Sequence, residues 1–165
     1  MEIWDLVDEG RNPLGKFHTR GTELPPSEFH VVVEIFTINA DGRILLTQRD
    51  ALKTYPLLWE STGGSITAGE SSAEGAVREL EEETGIAVTP KELQYLGEIK
   101  KGNYFLDSYV FRSTRDIEIC DLILQPGEVC DAKWVTLKEL EDLNKRGKIV
   151  PAVWERYQLY LNELE

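Results

Sequence analysis

The sequence predicts an α/β fold, a mixed β-sheet packed between helices, with a β-hairpin at the N-terminal end. Short β-branched and aromatic runs recur as far as residue 135, one strongly capped amphipathic helix interrupts them, and two helical segments close the chain. The 165 residues are 41% apolar and 29% charged, the balance of a folded chain and not of a disordered one. A chain of this length buries enough surface to need neither disulfide nor metal for bare stability.

Residues 3–7 and 14–18 read as two short strands across the turn-rich 8–13, and 21–27, with Pro25 and Pro26, as a connection. Residues 29–38 and 43–48 flank the turn Asn39-Ala40-Asp41-Gly42 and are expected to pair as a hairpin of core strands. Residues 51–56 read as a loop and 63–69 as a glycine-rich loop. The strongest helix is 71–84: Ser71 and Glu74 form a capping box, and Gly85 stands where a left-handed C-terminal cap is wanted. Residues 93–99, 104–112 and 117–124 read as strands, and Trp134-Val135 as a short one. Residues 136–145 form a helix, and 151–164 a second with proline in its first turn. In that last helix Trp154, Tyr157, Leu161 and Leu164 make a packing face, with a homodimer contact as the lesser alternative.

Charge narrows the function. Thirty acidic residues against 18 basic ones give a net charge of −12, which disfavours a nucleic-acid polymer or an anionic membrane as partner. No apolar run approaches a bilayer span, and the N-terminus lacks the basic and apolar regions of a secretory leader. Cys120 and Cys130 have no CxxC partner and no nearby histidine cluster, so two reduced thiols and a cytoplasmic location are expected.

The acid is concentrated. Between Glu70 and Glu83 stand six glutamates and one arginine, a local charge of −5. At ~100° per residue, Glu79, Glu82 and Glu83 share an arc of about 100°. Ala73, Ala76, Val77 and Leu80 fall on the face that meets the sheet, and Arg78 lies one turn before Glu82, placed for an ion pair. Like charges at this spacing repel; the bland reading is an exposed acidic face. The sharper one is a site for a hard cation, to which converging carboxylates offer oxygen ligands.

Spacing decides between them. From Gly64 the chain runs five residues to Glu70, seven more to Arg78-Glu79-Leu80, one to Glu82-Glu83, and one to Gly85-Ile86. This resembles the Nudix box, G-x5-E-x7-R-E-U-x-E-E-x-G-U with U aliphatic, at every specified position. Residues 44–49, 58–60 with Gly63-Gly64, and 128–135 are similar to segments flanking the box in that family. The opening Trp4–Asp8 and its hairpin resemble the N-terminal extension of the branch related to isopentenyl-diphosphate isomerase.

The resemblance implies a Nudix-type α/β/α sandwich, with residues 1–28 as hairpin and connection and 29–165 as the hydrolase domain of one compact unit. It implies hydrolysis of a phosphoanhydride bond in a nucleoside di- or triphosphate, or another nucleoside diphosphate-X, by water attack at phosphorus with Mg²⁺ or Mn²⁺. By the same resemblance the metal ligands are Glu79, Glu82, Glu83 and the Gly64 carbonyl. Arg78 then orients the carboxylates, Glu70 ties loop to helix, and the general base is Glu79 or Glu128.

Four further residues are substrate-binding candidates. Arg49 ends a strand beside the glycine loop and offers a phosphate contact or a surface ion pair. Glu60 offers a contact near the metal or is a loop acid, and Asp107 interrupts an apolar strand. Tyr55, with Trp59, Tyr104 and Phe105, offers stacking, against the commoner reading of such aromatics as core. His18 and His30 have no recognisable partner and read as structural or solvent-exposed. Two rival functions are weighed. An isopentenyl-diphosphate isomerase needs a cysteine in the loop before the helix, where this chain has Trp59-Glu60-Ser61-Thr62-Gly63; a non-catalytic nucleotide sensor would be expected to lack a carboxylate.

Overall fold

The computed structural model describes residues 1–165. In chain order the elements are β1 (Ile3–Val7), β2 (Pro13–Thr19), β3 (His30–Ile38), β4 (Ile44–Arg49), β5 (Trp59–Glu60), β6 (Thr62–Ser65) and α1 (Ser72–Thr84). They continue with β7 (Leu93–Lys101), β8 (Tyr104–Arg112), β9 (Val129–Val135), α2 (Leu137–Lys145), α3 (Pro151–Leu159) and the short α4 (Leu161–Leu164). The central sheet has seven strands in the order β5-β4-β3-β8-β7, with β6 added on β3 and β9 on β4. It is mixed because β3 and β8 run parallel from His30↔Tyr104 to Ile38↔Arg112, while its other pairings are antiparallel.

Alternation along the strands builds two cores. In β3, Val31, Val33 and Ile35 meet Ala76 and Leu80 of α1, while Phe36 and Ile38 turn the other way, to Leu140, Val153 and Tyr157. Leu45 and Tyr109 join the first core, and Ile44, Leu46 and Val110 the second. The sheet is therefore covered on both faces, which is why β3 reads as a nearly continuous apolar run.

The hairpin β1–β2 is a separate two-stranded sheet. A bridge from Val7 to Phe29 joins it to the body, as do bonds from the Ala68 amide to the Ile3 carbonyl (2.8 Å) and from the Gly69 amide to the Asp5 carboxylate (2.7 Å). Its turn is fixed by Arg11, whose guanidinium grips the buried Asp107 of β8 and also reaches Glu98.

Four expectations are corrected. Residues 117–124 form no strand; they hold a 3₁₀ turn at Ile119–Asp121, and their backbone serves the end of α1, Ile123 donating to Thr84 O (2.9 Å) and Gln125 to Glu83 O (3.3 Å). The expected core hairpin is splayed: β3 and β4 pair only at Ile38↔Ile44, because β6 takes the edge of β3 from Val32 to Ile35 and β4 turns to β9. That same β6 replaces the first part of the loop expected at 63–69. The last helix breaks at Tyr160, whose ring leaves the helical course to lie against Gly97 of β7 and Phe36.

Candidate active site

Helix α1 carries the acidic cluster, and its ends are fixed by the chain itself. The Glu74 amide donates to Ser71 Oγ (3.3 Å) and the Ser71 amide to the Glu74 carboxylate (2.8 Å). Gly85, at φ 76°, closes the helix with its amide on Glu81 O. The side chain of Arg78 is committed throughout: Nε and Nη2 donate to Glu70 (2.7 and 3.0 Å), Nη2 also to Ser65 O (3.0 Å), and Nη1 to Glu79 (2.8 Å) and Glu82 (3.1 Å). Glu70 accepts in addition from the Thr67 amide (2.8 Å), so one arginine ties the loop before the helix to two carboxylates on it.

A cleft of about 420 Å³ opens above this cluster. It is lined by Gly63, Gly64 and Ser65 of β6, by Glu79, Glu82, Glu83 and Arg78 of α1, and by Gln125 and Glu128. Glu2, Trp4 and Arg20 of the N-terminal hairpin and Lys53 of the 50–58 loop line it too, as do Val32 and Thr67, so five carboxylates face three cations. Glu83 is only 3% exposed, has no cationic partner, and accepts one long bond from the Gly63 amide (3.3 Å). Burial, aided by the nearby Glu60 and Glu79 charges, pushes its carboxyl well above the usual range. Burial also raises Glu79, with Arg78 opposing it. Glu128 pairs with Lys53.

By its chemistry the donor set suits a hard divalent cation, carboxylate oxygens standing with the Gly64 backbone on one cleft wall. A Cβ on Gly64 would lie 2.5 Å from the Glu79 carboxylate, so only glycine lets backbone and carboxylate approach so closely. With Arg78 holding Glu79 and Glu82, no three acidic or histidine side chains converge tightly enough to clasp an ion. The donors are gathered along one wall, with Arg78 bonded to two of them.

Of the residues singled out from sequence, Gly64, Arg78, Glu79, Glu82, Glu83 and Glu128 come together in the cleft. Arg49, Glu60, Tyr55 and Asp107 do not line it. Arg49 and Glu60 pair with each other (2.7 Å), and Tyr55 is half exposed on its loop. Asp107, 2% exposed, is held by Arg11, Ser72 and Tyr95. Trp59 and Phe105 are buried core residues. His18 and His30 are buried beside Trp4, whose ring stacks on His30 at 4.1 Å and lies 5.7 Å from His18. Sequence reading missed Glu2, Arg20, Lys53 and Gln125 as cleft residues, since no motif marks them and only tertiary contact brings them here.

Residues 28–155 match the NUDIX domain family. The chain is 38% identical to an uncharacterised Nudix hydrolase of Listeria monocytogenes over 170 residues, covering 99% of this chain and 94% of that one. It is 30% identical to an isopentenyl-diphosphate Delta-isomerase of Streptomyces avermitilis over 148 residues, covering 85% of this chain and 74% of the other. In fold it is similar to the crystal structure of DR0079 from Deinococcus radiodurans, with a TM-score of 0.72, 23% identity, and coverage of 90% and 92% of the two chains.

Proposed function

Because this chain belongs to the Nudix family, we propose that its acidic cleft is the site of a divalent-metal-dependent hydrolase that cleaves a phosphoanhydride bond by water attack at phosphorus. The substrate class is a nucleoside di- or triphosphate or a related nucleoside diphosphate. The observation that carries this reading is the assembly of Glu79, Glu82, Glu83 and the Gly64 backbone on one cleft wall. Mg²⁺ or Mn²⁺ held there would neutralise phosphate oxygens and make a bound water a better nucleophile.

The chain's own groups supply the rest. Glu82 and Glu83, one turn beyond Glu79, present carboxylate oxygens to the cleft, and the Gly64 carbonyl adds a neutral donor. Arg78 fixes Glu79 through Oε1 and leaves Oε2 without a hydrogen bond, free to take a proton from the attacking water. Glu128 is drawn to Lys53, which favours Glu79 as the base. Isomerisation is disfavoured because Cys130 contacts the backbone of Gln48 and Arg49, and neither cysteine lines the cleft.

The test is product release from a panel of nucleoside di- and triphosphates, nucleotide sugars and isopentenyl diphosphate with Mg²⁺ or Mn²⁺. Phosphoanhydride cleavage is expected; conversion of isopentenyl diphosphate without phosphate release would overturn the reading in favour of the isomerase. In Glu82→Gln, turnover should fall by about 100-fold or more, the scale of losing one electrostatic group aimed at the reacting phosphate. The melting temperature should hardly move, because the Glu82 side chain is 45% exposed.

A further inference from the structure

We propose that Arg20, on the N-terminal hairpin, is a substrate-positioning residue that leaves Glu2 to take phosphate oxygens of the substrate across the cleft from the α1 carboxylates. The proposal rests on the hydrolase reading above and adds to it a contact from residues before the matched family region, which begins at 28.

The cleft's cations are not equivalent. Arg78 is spent on Glu70, Glu79, Glu82 and the Ser65 carbonyl, and moving it would undo the loop it secures. Lys53 is paired with Glu128 and only 20% exposed. Arg20 is 63% exposed and donates a single side-chain bond, Nη1 to Glu2 Oε2 at 2.7 Å. Its Nη2 and Nε are uncommitted, and a planar fork with two free donors suits a phosphate.

The hairpin holds that fork in place by means that do not use Arg20's side chain. The Arg20 amide donates to Glu2 O at 3.0 Å, Trp4 stacks on His30, and Arg11 anchors the turn to Asp107. Glu2 is itself positioned, its Oε1 accepting from Trp4 Nε1 at 2.9 Å, so it is a built counter-ion that shields the guanidinium until a stronger anion arrives. An exposed one-bond ion pair of this kind is cheap to open.

A purely structural ion pair and a phosphate contact predict different signs. The probe is inorganic imidodiphosphate, a non-hydrolysable P–N–P diphosphate, titrated calorimetrically with Mg²⁺ into the full chain and into Arg20→Ala, Arg20→Lys and Glu2→Gln. Arg20→Ala should weaken binding by about 10- to 100-fold, the loss of charge-assisted hydrogen bonds, with Arg20→Lys between. Glu2→Gln should bind as tightly as the unsubstituted chain or more tightly, because it frees the guanidinium and removes one negative charge while keeping an acceptor for Trp4. On the panel substrate that is hydrolysed, Arg20→Ala should raise KM more than it lowers kcat. Binding by Arg20→Ala within twofold of the unsubstituted chain overturns the proposal alone. Equal weakening by Arg20→Ala and Glu2→Gln overturns it in favour of a structural pair. No binding by the unsubstituted chain with any divalent ion would overturn the hydrolase reading too.

Discussion

At the scale of single residues, the two glycines of β6 separate fold from site. A Cβ on Gly63 would meet the Val33 carbonyl oxygen at 2.2 Å and Glu34 Cα at 2.9 Å, both backbone atoms of the central strand. A Cβ on Gly64 would meet only the end of the Glu79 side chain, at 2.5 Å, which can swing away at little cost to the sheet. Gly64→Ala should therefore fold with a nearly unchanged melting temperature while losing about 10- to 100-fold in kcat, the penalty for displacing one group in a prearranged site. Gly63→Ala should fail first in stability, by a few kcal/mol as in other backbone overpacking. Thermal melts and steady-state rates on the two variants check this; a Gly64→Ala enzyme with full turnover would remove Glu79 from the site. Glycine at both positions is legible in the sequence, but only the partner atoms tell which serves chemistry.

At the scale of elements, the buried charge of β8 belongs to the attachment of the hairpin. Asp107 accepts from Arg11, from Ser72 in the first turn of α1, and from Tyr95 of β7, so one carboxylate links the N-terminal turn, the acidic helix and the sheet edge. Arg11→Ala leaves Asp107 buried without its cation and should cost about 3 kcal/mol, the low end for breaking a buried pair, since Arg11 itself is partly exposed. For a chain of this size that is a fall of roughly 6–12 °C in melting temperature. Adding Asp107→Asn should recover part of it, and additive losses in that double-mutant cycle would contradict the coupling. In the sequence Asp107 looked like a site residue because it interrupts an apolar strand, and its partner 96 positions away was invisible. The same limit explains residues 117–124. Ile117 with Ile119 and Leu122 with Leu124 pack against the core as two alternating pairs like a strand's residues, yet donors there go to the open carbonyls of α1. Helix α1 and β8 were legible because their signals, cap residues and a β-branched and aromatic run, are local; where β4, β6 and the 117–124 segment pair is decided by distant neighbours.

At the scale of the molecule, the net charge of −12 is unevenly spent, with −5 of it between Glu70 and Glu83. Three of the six glutamates there, Glu79, Glu82 and Glu83, line one cleft, and the only arginine within the segment neutralises part of the charge. If the excess were a general solvated surface, salts of any kind would relieve it in proportion to ionic strength, because screening acts on all exposed charges alike. If it is a cation site, Mg²⁺ binds the folded state selectively and stabilises it by mass action, by about 2.7 kcal/mol at 100 times its dissociation constant. That corresponds to a rise of roughly 5–10 °C in melting temperature. The decisive comparison is a thermal melt in MgCl₂ against NaCl of equal ionic strength, repeated with Glu82→Gln. The folded chain should gain far more from magnesium than from sodium, and the variant should lose most of that difference while responding to sodium as before. Equal shifts in the two salts would mean that the acidic helix is a solubility device and that the Nudix-like spacing of its carboxylates holds no ion in this chain.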